Sequence, residues 1–162
     1  MGRWTGSWLS GPAAAGEAPP RAGQDWWGQR LGLPERGPDS VASFGRRLAA
    51  YAVDSVVANL VAVALTPPSD DPTTRGLVTL GVLAASYLLL VGVVGQTLGM
   101  RLLGLRVAPL QGGGGASRRV PGLYRSLVRT ALLFLLVPAL VWDADNRGLH
   151  DKAVGTAVLR TR

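Results

Sequence analysis

The chain has 162 residues, 48% of them hydrophobic, with a formal net charge of +7, which is one domain's worth of polypeptide. It holds no cysteine, so disulfides and thiolate–metal sites are excluded, and with a single histidine a zinc centre is a poor fit. The basic excess is almost all arginine, Lys152 being the only lysine; these arginines flank apolar runs and accompany no nucleic-acid module, which favours a membrane over a nucleic acid.

Abundant Arg, Ala, Gly and Pro beside one Lys also suggests the codon bias of a GC-rich bacterial genome. Residues 1–39 are rich in Gly, Pro, Ala and Trp and carry no helical or strand period. They lack an apolar h-region and are expected to be a disordered cytoplasmic tail. Trp4, Trp8, Trp26 and Trp27 sit awkwardly there, because tryptophan favours interfaces. They read either as a tether to the membrane or a partner, or as scattered aromatics.

The first apolar stretch, about 40–66, follows Pro38, with Asp39 or Ser40 as caps. Between Leu48 and Leu65 only Asp54 can carry a charge, and that length meets the ~30 Å of a bilayer core. An aspartate near a helix centre costs roughly 2.5–3.5 kcal/mol on insertion scales, and the Leu and Val residues around it return about 3 kcal/mol. The helix only just inserts, so Asp54 calls for a partner. Arg47, seven positions earlier, shares its face at about 10 Å along the axis. Asp54 reads as a permanent packing anchor bonded to Arg125, Arg129 or Arg47, with Ser55 and Asn59 adding hydrogen bonds. The other reading is a titrating proton or cation site.

Thr66-Pro67-Pro68-Ser69-Asp70-Asp71-Pro72 ends this helix. Residues 76–95 then run without a charge and form the clearest span. Gly81 and Ala85 give a small-xxx-small spacing that predicts close approach to Ala58 and Ala62. In residues 96–121, Arg101 and Arg106 among apolar residues suit an interfacial segment, with a short strand over Leu103–Val107 as the alternative. Gly112–Gly115 lack the following Lys-Ser/Thr of a P-loop and read as a flexible turn. The third stretch, about 121–142, reaches spanning length only by including Arg125 and Arg129. These snorkel or turn inward to Asp54, and Pro138 kinks the helix. Spanning is the preferred reading. A re-entrant third segment is the alternative, and it would let Gly155-Thr-Ala-Val-Leu pair with Gly104-Leu-Arg-Val. The arginine-rich middle loop, against Arg75 alone in the first, puts the amino terminus in the cytoplasm.

Three ordered pieces, Gly45-Arg-Arg-Leu-Ala-Ala-Tyr-Ala-Val-Asp54, Gly95-Gln-Thr-Leu-Gly-Met-Arg-Leu-Leu-Gly-Leu-Arg-Val107 and Asn146-Arg-Gly-Leu-His-Asp-Lys-Ala-Val-Gly-Thr156, resemble the RDD family of small bacterial integral membrane proteins. The resemblance covers about residues 40–160. It matches the family's arginine to Arg47 and its first aspartate to Asp54. The second falls on Asp151, with Asp143 as the alternative. Met100 departs from the lysine that many members carry. What the resemblance implies is an architecture, with transport of an unidentified ligand as the activity suggested for the family.

These readings combine into an all-α membrane protein of three hydrophobic helices, a tail at 1–39 and a transmembrane domain at 40–160. It is expected in the plasma membrane as a multi-pass protein, with lipid and either a further copy or another membrane protein as partners, and with no cofactor and no metal. His150-Asp151 carries no Gly-x-Ser-x-Gly elbow with it. It reads as a structured turn in which Asp151 accepts from backbone or Arg147, so no enzyme is expected. The expected function is a non-catalytic module or scaffold subunit, the alternative a transporter or ion-coupling subunit using Asp54.

Overall fold

The computed structural model describes residues 24–68, 71–112, 114–135 and 147–162. Its frame is an antiparallel hairpin of α1 (Phe44–Leu65) and α2 (Pro72–Val94). At 1.5 Å per residue these are about 33 and 35 Å long, enough to cross a hydrocarbon core. Both are apolar nearly all round. Thr66 stops α1 by turning its N–H and its hydroxyl back to the Ala62 carbonyl, just before Pro67-Pro68. α2 starts earlier than the apolar run predicts. Pro72 occupies the first turn, where a missing N–H is harmless, and Asp71 accepts from the Thr73 and Thr74 amides. The Thr74 hydroxyl, donating to Oδ2 at 2.7 Å, and after it these amides hold the Asp71 carboxyl down at about 2. Gly95, at φ 79°, closes α2 in a left-handed turn that favours glycine.

The hairpin buries little of itself. On α1 the buried column is Ala50, Asp54, Ala58 and Ala62, and on α2 it is Leu83, Tyr87, Val91 and Gly92. Leu60, Leu65, Leu77 and Leu89 stay outside, as a lipid-facing surface does. Ala58 packs in one cluster with Leu83 and Tyr87. Gly81 and Ala85 are exposed, and a Cβ at Gly81 would meet nothing within 4 Å, so the expected Gly81–Ala85 contact is corrected. The close approaches lie at Gly92, where a Cβ would come 3.2 Å from Leu123 Cα, and at Gly99, where it would collide with the Ala50 carbonyl.

The remainder is not all helical, which corrects the expected class. After α3 (Leu98–Leu102), strand β1 (Leu105–Pro109) pairs antiparallel with β2 (Thr156–Arg160), Val107 opposite Val158. Val41 bridges Leu159 on the other edge of β2, making β2 central. Side chains alternate between the faces, as the two-residue period of a strand requires. Leu105, Val107 and Val158 join the core beneath the hairpin, while Ala108, Ala157 and Leu159 pack with Leu33 and Val41. That second cluster is built on residues 24–42, so the expected disordered tail is corrected over 24–39. A single 3-10 turn, Gln29–Leu31, is flanked by Gly28 and Gly32 in left-handed conformations. Trp26 Nε1 donates to the Leu33 carbonyl and Trp27 packs on the cluster. Trp4 and Trp8 lie outside the described residues.

Helix α4 (Leu123–Phe134) turns its polar side inward, burying Ser126, Arg129 and Thr130 while Leu123, Tyr124 and Leu127 face out. The short α5 (Leu149–Ala153) leads into β2. Residues 136–142 of the expected third span, with Pro138, and Asp143 lie outside the described residues. Because β1 and β2 are partners, the chain from 110 to 155 leaves the sheet and returns to it.

Candidate functional site: two buried carboxylates

Asp54 sits at the eleventh of the 22 residues of α1, about 15 Å from either end, and is 5% exposed. After Gly95 the chain folds back beside α1, bringing Gln96-Thr97-Leu98-Gly99 against the carboxylate. Thr97 Oγ1 donates to Oδ2 at 2.5 Å and the Gly99 amide donates to Oδ1 at 2.7 Å. Thr97 Oγ1 also accepts from the Met100 amide as the cap of α3. Tyr87 is buried on the neighbouring α2. Among the described residues the partners are therefore a hydroxyl and a backbone amide, and the expected arginine pairing is corrected. Of the three expected arginines, Arg129 and Arg47 lie at Asp151 and Arg125 is exposed. The turn can come this close because residue 99 has no side chain, an arrangement only glycine permits.

Asp151, fully buried, gathers the positive charge that was expected around Asp54. Arg129 Nε donates to Oδ1 at 2.6 Å, Thr156 Oγ1 donates to the same oxygen at 3.2 Å, and Arg47 lies 3.8 Å from Oδ2. His150 Nε2 is 3.6 Å from Oδ2. Burial alone would push the Asp151 carboxyl up. Arg129 first, then His150 and Arg47, outweigh it and hold the group below the usual carboxylate value. Arg47 also donates to the Ala42 and Val158 carbonyls, tying the start of α1 to the sheet. Arg147 is buried close by in sequence, and Asn59 is exposed on α1.

The model of the RDD family matches residues 41–155. This chain belongs to the RDD family. No curated protein and no solved structure matches it. The three side chains to which the family's letters were assigned thus fall into two sites of this RDD protein. Arg47 and Asp151 meet at the membrane end of the sheet, and Asp54 holds the turn after α2. Thr97, Gly99 and Thr156 are the partners that a search for charges passes over. Thr97 and Gly99 stand inside the second matching piece, Gly95–Val107, so their spacing was the available signal. In both sites a carboxylate accepts from an element distant in sequence, the turn after α2 at Asp54 and α4 at Asp151.

Proposed function

We propose that this RDD protein is a non-catalytic, multi-pass module of the plasma membrane whose buried acids hold its shape for a membrane partner. The observation that carries this is that each oxygen of Asp54 already receives a donor from the chain's own turn. A carboxylate used in this way is a fastener within the bilayer. The sheet and residues 24–42 lie on the cytoplasmic side in this reading. Arg46, Arg101, Arg118, Arg119, Arg125, Lys152 and Arg160 cluster toward that end, against Arg75 and Asp71 at the far turn, as the positive-inside rule favours.

One observation favours the second reading, an ion-coupling subunit: no base lies within ion-pair distance of Asp54 among the described residues, so its charge is offset by dipoles alone. Asp54→Asn separates the two. The amide keeps an acceptor for Gly99 and a donor for Thr97, so a fastener survives with a thermal midpoint within a few degrees of wild type and unchanged vesicle permeability. A proton or cation flux in reconstituted vesicles that Asp54→Asn abolishes, with folding intact, would replace the first reading by the second.

A further inference from the structure

Serine and threonine hydroxyls inside α1 and α2 are satisfied by their own helices: Ser55 donates to the Tyr51 carbonyl, Thr79 to that of Arg75 and Ser86 to that of Val82. Asn59 differs. Its amide is exposed on the outer surface of α1 and makes no hydrogen bond among the described residues. It lies six residues, about 9 Å, short of the end of α1, and its short side chain cannot reach the headgroups as a lysine or arginine stem does. Lipid tails offer neither a donor nor an acceptor, so they are a poor cover for this site.

The face around Asn59 has a regular pattern. Gly45, Ala49, Ala52, Val56, Asn59 and Val63 recur at alternating steps of four and three, and all six are exposed. That is a heptad seam, the spacing at which two helices cross at about +20° and interlock. The column packed inside the protein, Ala50-Asp54-Ala58-Ala62, steps by fours and lies on another face. An amide both donates and accepts, so it is complementary to a second amide. Copies inserted with the same orientation are related by a twofold axis along the membrane normal, which puts both Asn59 side chains at one depth.

We propose that a second copy of this chain covers that face, as a parallel α1–α1 pair closed by an Asn59–Asn59 hydrogen bond within the bilayer. The inference rests on α1 spanning the membrane, and not on the role proposed for Asp54. With no native cysteine, each introduced thiol reports alone. Full-length protein carrying Ala52→Cys, Val56→Cys or Val61→Cys is reconstituted in phosphatidylethanolamine–phosphatidylglycerol vesicles and oxidised. Disulfide dimers are expected at 52 and 56 and not at Val61, which is exposed on the opposite side of α1. Asn59→Val is expected to weaken dimerisation about tenfold, read by energy transfer between labelled copies. A monomer at all lipid dilutions, equal cross-linking at all three positions, or a dimer indifferent to Asn59→Val each overturns it. Recovery of the protein in buffer without detergent would instead remove the membrane reading beneath it.

Discussion

Asp151 is shielded from solvent on every side and is nevertheless held ionised by Arg129, His150 and Arg47. A carboxyl whose folded value lies below its unfolded value of 3.8 contributes stability that is complete above the unfolded value. That contribution is lost as pH falls from there through the folded value. The thermal midpoint in detergent should therefore be flat from pH 8 to about 5 and fall below about 4. Asp151→Asn should cost about 3–5 kcal/mol, because it strands Arg129 and Arg47 as buried charges. It should also flatten the acid limb of the curve. A midpoint that declined already between pH 7 and 5 would contradict Asp151 as the group in control. Asp54 makes the contrast at the same scale: the Thr97 hydroxyl and the Gly99 amide that donate to it carry no charge. Charge can be read from a sequence, whereas a backbone amide that will be aimed at a carboxylate cannot, and for that reason the sequence points Arg47 and Arg129 at Asp54 while the fold brings them to Asp151.

At the scale of elements, glycine position separates contacts that composition confuses. Gly99 has the Ala50 carbonyl and Asp54 Cγ where its Cβ would be, whereas Gly81 faces open space. Gly99→Ala should lower stability by about 1–3 kcal/mol, the usual cost of forcing bulk into a packed site, while Gly81→Ala should be neutral or raise it. Comparison of the two midpoints in detergent tests the assignment, and equal effects would contradict it. The long helices were legible because twenty apolar residues have one reading at that length. The two strands have five residues each and were visible only as an alternative. Such short apolar runs carry no periodicity that separates strand from helix, and their partner lies about fifty residues away. The Gly/Pro-rich stretch at 24–39 was misread for a related reason. Composition records low helix and strand propensity, but it does not record that Leu33, Val41 and Trp27 meet one face of a sheet made elsewhere in the chain.

For the whole molecule, the sheet constrains topology more tightly than charge counting does. Residues 39–42 bond to one edge of β2 and β1 to the other, so the start of α1, the end of α2 and the last strand share one end of the hairpin. Single cysteines at Arg36 and Thr161 should thus label together with an impermeant maleimide only after cells are opened. A cysteine at Pro67, in the far turn, should label on intact cells. Opposite labelling of 36 and 161 would be incompatible with the β1–β2 pairing. The same arrangement removes three independent crossings as a description, because the chain between the strands must come back to the side it left. The central place of β2 also fixes the order of biogenesis. The segments flanking it emerge from the ribosome first and wait with unpaired backbone edges until the final strand slots between them. The lobe around residues 39–42 and β1 therefore cannot close until β2 has been made.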